Sequence, residues 1–176
     1  MRDEQSRNFI QQLGAHSPSI IGDPALFLPE QAEHTNKHQS KTGIRIGLSI
    51  PFHGIEPTEW IQKNIKEFIN FLKLIQKSKQ ARFDYFLHYD SEQLVYEVMR
   101  DSGLDVTLRD GDTPALLKSY RRLDLHIGGM LHSCIMASSQ RIPTISLAYD
   151  AKHFGFFKLL EREEFCIYNQ SIDYMK

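Results

Sequence analysis

An α/β fold, with a parallel sheet covered by helices on both faces, is what the sequence predicts, and two observations carry that reading. From residue 44 onward, short runs rich in β-branched and aromatic residues, such as IRIGLSI (44–50) and FDYFLHY (83–89), alternate with stretches of helical period. Those intervening stretches are long enough to be crossover connections, which parallel neighbours require and hairpins do not.

Taken in order, SRNFIQQLG (6–14) places Phe9, Ile10 and Leu13 at helical spacing and offers Gly14 as the residue that ends the helix. SIIGDPALFL (19–28) reads as a strand running into a turn, and the polar, aperiodic QAEHTNKHQSKTG (31–43) as a linker. After the first apolar strand, residues 58–77 put Ile61, Ile65, Phe68, Ile69, Leu72 and Ile75 on one helical face, behind the start signal of Pro57 and Thr58. FDYFLHY is a second strand, and Asp90 with Gln93 forms a capping-box pattern before a helix that ends at Gly103. DVTLR (105–109) is a weak strand, after which Thr113 caps and Pro114 opens the helix PALLKSYRR. LDLHIGG, LHSCIMASSQ, PTISLAY, HFGFFKLLERE and EFCIY then read as strand, helix, strand, helix and strand.

Composition narrows the function classes. A chain of 176 residues with 41% apolar content can build one ordinary core. A net charge of −1 leaves no electrostatic footprint for nucleic acid or an anionic membrane. Cys134 and Cys166 lie far apart without metal-ligand spacing, which suits a reducing compartment. No run approaches the roughly 20 apolar residues of a spanning helix, and the N-terminus lacks the apolar core of a signal peptide. A soluble, cytoplasmic protein with no nucleic-acid partner and no membrane span is therefore expected. His34 and His38 share i, i+4 spacing in a polar stretch without a third ligand, so no metal site is expected.

Parallel sheets bind ligands outside the carboxyl ends of their strands, which directs attention to PFHGIE, HYDSE, RDGDT, GGMLH and YDAKHFG. GGMLH makes the strongest case. Gly128 and Gly129 would let a ligand approach the backbone, and the first turn of the following helix, carrying Leu131, His132 and Ser133, presents N–H groups and a positive dipole end to an anion. Such an end favours a neutral imidazole, whereas a bound dianion favours a protonated one, so His132 would become a general acid only with an anionic donor in place. By spacing alone the same histidine reads first as a polar helix-start residue bonded to a carbonyl, and His126, in the apolar run, as a packed ring. Beyond the next strand, Asp150 could orient a hydroxyl and Lys152 neutralise a phosphate, or the pair with His153 could simply cap a helix. The sequence has no P-loop, GxSxG or GxGxxG pattern.

Three segments together resemble the polysaccharide pyruvyl transferase family. RDEQSRNFIQQLG followed by GDPALFL is similar to that family's passage near the end of its first domain. IGGMLHSCIMASSQRIPTISLAYDAKHFGFF resembles its second-domain signature, in which Ile-Gly-x-Arg-Leu-His leads a helix and Tyr-Asp-x-Lys-x-x-Gly-Phe follows a Pro-(Thr/Val)-Ile strand, and IRIGLSI is like the strand that opens that domain. The resemblance implies a Rossmann-like sheet like the C-terminal domain of a GT-B fold, with residues 1–43 the end of a first domain plus linker and residues 44–176 the C-terminal domain. It implies phosphoenolpyruvate as donor substrate without a further cofactor, a saccharide of a cell-surface polysaccharide as acceptor, and a separate N-terminal domain or a second copy as partner. His132 matches the motif histidine, with general-acid duty at the donor's methylene. One position departs: the motif arginine two residues before the histidine is Met130, which cannot form a bidentate fork with a carboxylate or phosphate. Two alternatives stay open, a truncated or diverged non-catalytic domain and another GT-B transferase using a nucleotide-sugar donor.

Overall fold

The computed structural model describes residues 4–14, 16, 18–28, 43–52 and 54–168. Residues 31–42 of the expected linker, with His34 and His38, and His53 lie outside these.

Six parallel strands form one sheet: β1 (Arg45–Ser49), β2 (Arg82–Phe86), β3 (Val106–Arg109), β4 (Leu125–Gly128), β5 (Thr144–Ala148) and β6 (Cys166–Tyr168). Their order is β3-β2-β1-β4-β5-β6. Chain direction across the sheet therefore reverses between β1 and β4, the place where such sheets open a crevice at their carboxyl edge. Register pairs Gly47 with Asp84 on one side and with His126 on the other, so alternate residues of the three central strands share a face.

On one face Ile46, Leu48, Phe83, Tyr85 and Ile127 are covered by α2 (Ile55–Lys79) and α3 (Gln93–Asp101) through Ile61, Ile69, Leu72, Val95 and Met99. Each large side chain fully buried there stabilises the fold by about 1.5–3 kcal/mol. The other face divides into two clusters. Phe86 packs with Leu116 and Tyr120 of α4 (Thr113–Tyr120), and Leu131, Cys134 and Ile135 of α5 (Leu131–Ser139) pack with Phe156 and Phe157 of α6 (Ala151–Leu159). The predicted sheet with helices on both faces is thus what the chain builds.

Several local expectations need correcting. SIIGDPALFL forms no strand: Asp23 accepts from the Ala25 N–H at 3.0 Å and starts a 3-10 helix, Pro24–Phe27, because Pro24 fixes the φ such a turn needs. Ala25 and Leu26 of that turn pack against the α5–α6 cluster, while α1 (Glu4–Gln12) ends, as expected, before a Gly14 at φ +86°. Helix α2 begins three residues before Thr58, since Pro57 falls in the first turn where no N–H bond is required. Asp112, not Thr113, caps α4 by accepting from Ala115 N–H at 3.0 Å. Asp90 does not cap with Gln93; it opens a short 3-10 turn in which Glu92 reaches back to the His88 and Tyr89 N–H groups at 2.9 and 3.2 Å. Finally, α6 starts at Ala151 and ends at Leu159, earlier at both ends than HFGFFKLLERE suggests, because Asp150 supplies its cap.

A buried charge cluster ties the β3 edge to the centre of the sheet. Arg109 donates from Nε and Nη2 to Asp84 Oδ1 at 3.0 and 2.8 Å, and Arg45 Nη1 lies 3.5 Å from Asp84 Oδ2. Two cations thereby compensate a carboxylate that has only 3% exposure.

Candidate functional site

The β1 and β4 loops meet at the reversal point. Gly129 donates its N–H to Ser49 O, and the Tyr85 hydroxyl donates to Ile50 O at 3.1 Å, holding the loop after β1 from both sides. Neither Gly128 nor Gly129 has a positive φ; close packing is what demands glycine. A Cβ on Gly128 would lie 2.6 Å from Cys134 Sγ and 2.7 Å from His126 Nε2, and one on Gly129 would lie 2.4 Å from Pro51 Cδ. The room left by these missing side chains is filled by protein, and it lets α5 start hard against the sheet.

Met130 is the N-cap residue of α5, extended at φ −96° and ψ 121°, with a buried side chain and no side-chain cap. The helical ladder begins with Cys134 N–H on Met130 O, so the N–H groups of the first turn have no intrahelical acceptor. Leu131 turns into the apolar cluster and Ser133 is fully buried, so what either offers a ligand is its backbone N–H. Of the four side chains from Met130 to Ser133, only that of His132 is exposed.

Behind this turn runs a buried polar chain. Ser133 Oγ lies 2.9 Å from His126 Nε2 and 2.5 Å from the Tyr120 hydroxyl, which in turn is 3.5 Å from His88 Nε2. The Tyr120 ring stacks on Phe86 at 3.9 Å between centroids, and His126 stands edge-on to both rings. Burial, then the neighbouring His132, pulls His88 down to about 4, and burial, then His88, pulls His126 down to about 3. Both rings are accordingly neutral near pH 7. His126 is thus the packed ring that its apolar run suggested. Burial raises Glu92 to about 7 even though its bonds from the His88 and Tyr89 N–H groups oppose the rise.

The pair predicted beyond β5 is joined to itself. Asp150 caps α6 by accepting from the Lys152 N–H at 2.8 Å, and Lys152 Nζ lies 2.8 Å from its other oxygen. His153 turns inward, where its Nδ1 is 2.6 Å from Ser146 Oγ; both residues are fully buried. Cys134 and Cys166 are free thiols, and burial pushes the first up to about 12, which makes it inert at neutral pH. Among the described residues no three His, Cys, Asp or Glu side chains are grouped to hold a metal, and no helix is long and apolar enough to cross a membrane.

The sequence marks His132 as the candidate on this turn, and nothing in it marks His88 and Tyr120 as its neighbours behind the turn. HYD at 88–90 reads as a helix start, and Tyr120 as the end of an amphipathic helix; only the strand order brings β2, α4 and α5 to one place. Knowing that order, a histidine immediately past a central strand would have been the available signal.

Six parallel strands with a reversal point, covered by helices on both faces, define a Rossmann-like domain. The chain belongs to the polysaccharide pyruvyl transferase family: the family model described as Polysaccharide pyruvyl transferase matches residues 1–151, from the N-terminus to the first residue of α6. Transfer chemistry is therefore its general class. No curated protein matches the chain.

Proposed function

We propose that this domain binds phosphoenolpyruvate at the start of α5 and serves the transfer of its pyruvyl group, as a ketal, to two hydroxyls of a saccharide destined for a cell-surface polysaccharide. The observation that carries the reading is the first turn of α5, where His132 alone of residues 130–133 faces outward beside N–H groups without intrahelical partners.

The chemistry follows from what each group can do. A dianionic donor at a positive helix end favours a proton on the imidazole. His132 then gives that proton to the donor's methylene carbon, which becomes a methyl group as a sugar hydroxyl oxygen bonds to the central carbon and releases its own proton. The second hydroxyl oxygen displaces phosphate, which carries off that hydroxyl's proton as hydrogen phosphate, and closes the ketal. First-turn N–H groups, from Leu131 to Ser133, serve the donor's anionic oxygens. Gly128 and Gly129 act by letting that turn sit close to the sheet. Lys152, exposed and held by Asp150, supplies a cation that can swing to the phosphate. Two free thiols go with a cytoplasmic setting.

A second reading has one observation in its favour. Met130, buried at the cap, offers no fork for a carboxylate or phosphate, as expected of a domain that keeps the fold without the reaction. The test is a reaction in D2O with phosphoenolpyruvate and a methyl galactopyranoside. Phosphate release with one deuterium in the ketal methyl supports transfer; a folded chain that yields neither supports the second reading.

A further inference from the structure

The buried chain behind α5 has two possible directions, and its inner end decides between them. His126 Nδ1 has no partner at full hydrogen-bond geometry, yet it lies against the Gly47 backbone, whose carbonyl favours a proton there. The neutral ring must carry its one proton on one of the two nitrogens, and Nε2 already has a hydroxyl to accept from, so the proton sits on Nδ1, facing that carbonyl. With the proton on Nδ1, Nε2 accepts from the Ser133 hydroxyl. Ser133 Oγ then accepts from Tyr120, at 2.5 Å, and the Tyr120 oxygen is left to accept from His88 Nε2–H at 3.5 Å. Hydrogen-bond donation thus runs inward, from a histidine at the carboxyl edge to the sheet.

His88 stands where it can use that order. It follows β2, its backbone is held by Glu92 Oε2, and its ring is close enough to His132 to feel that neighbour's charge. The next residue, Tyr89, has a half-exposed ring, and it is near enough to Tyr149, past β5, to influence it as well. A neutral hydrogen-bond acceptor beside an exposed aromatic ring matches a pyranose, which offers hydroxyl donors on its rim and C–H groups on its face.

We propose that His88 is a second ligand-contacting histidine of this site, fixed by Tyr120 as the Nε2–H tautomer so that Nδ1 accepts a hydrogen bond from a hydroxyl of the saccharide acceptor. This rests on the donor reading above and adds the acceptor side to it: His132 serves the donor and takes charge, whereas His88 stays neutral and orients the diol. Tyr120, Ser133 and His126 are positioning residues that act through His88.

Nitrogen-15 spectra of the histidine rings in the whole 176-residue chain test this. Expected are a pyridine-type Nδ1 and pyrrole-type Nε2 for His88, lost to a tautomer mixture in Tyr120→Phe, which keeps the ring on Phe86 and removes only the hydroxyl. With phosphoenolpyruvate present, methyl β-galactopyranoside should move His88 Nδ1 upfield, and less so in Tyr120→Phe. A protonated Nδ1 in the unmodified chain overturns the proposal without any variant. A correct tautomer that ignores the galactoside while His132 responds to phosphoenolpyruvate overturns the acceptor role and leaves the donor reading standing. Silence of both histidines to both ligands removes the donor reading and this one with it.

Discussion

The Tyr120 hydroxyl and Ser133 Oγ meet at 2.5 Å inside the protein, joining the end of α4 to the first turn of α5. Because both atoms are buried, removing either takes a hydrogen bond from its partner in a dry site. Ser133→Ala strands His126 Nε2 and leaves Tyr120 only its 3.5 Å contact with His88, and should cost about 1–3 kcal/mol by urea unfolding. Tyr120→Phe, which leaves Ser133 its bond to His126, should cost less. Equal and negligible costs would show that the chain is not formed.

Gly128 gives a packing prediction. Gly128→Ala sets a methyl group against Cys134 Sγ and His126 Nε2 with no backbone strain to confuse the result, and should destabilise by about 1–3 kcal/mol. Gly103→Ala is the counterpart, with open space but φ +87°, so its cost is conformational and about 1 kcal/mol. Adding Cys134→Ala should recover part of the first loss and none of the second, as measured by thermal midpoints.

Acid should weaken the fold, and the sign follows from three buried groups and the half-buried His88. His88, His126 and His153 are depressed from 6.5 to about 4, 3 and 4, so the unfolded chain takes up their protons first and their contribution is lost as pH falls below about 6.5. Glu92, raised from 4.5 to about 7, acts oppositely, since the native form binds its proton more tightly across that window. Three groups against one make the urea midpoint lower at pH 5 than at pH 7. Glu92→Gln removes the opposing group and should steepen the fall; a midpoint that rises on acidification would contradict the assignment.

Much of this fold is legible in the sequence because it is carried by local pattern. Ile46 and Leu48, or Ile61, Ile69 and Leu72, reveal their element by spacing alone, and His132 reveals itself by following a strand and two glycines. What could not be read depends on competition or on distance. Asp112 and Thr113 are both able to cap, and only geometry shows that the aspartate reaches Ala115. SIIG has the composition of a strand but finds no place in the sheet, and the Asp-Pro pair beside it makes a 3-10 turn instead. His88, Tyr120 and the His126–Ser133 pair come from separate stretches of the chain, so no spacing announces that they touch.

Asp84 offers a further check of the sheet. Asp84→Asn keeps the shape but removes the charge that two arginines share, and should cost about 1–3 kcal/mol, with the loss reduced when Arg45 is also replaced. Strictly additive losses in a double-mutant cycle would show that the two do not interact.

The most direct test of the donor site is calorimetric titration of the 176-residue chain with phosphoenolpyruvate at low salt, beside His132→Ala. Because the His132 side chain is exposed, the variant should unfold within about 0.5 kcal/mol of the unmodified chain. Saturable binding that weakens at least tenfold in the folded variant is the predicted result. Binding of equal strength in both, or none at millimolar donor in the unmodified chain, would contradict the account.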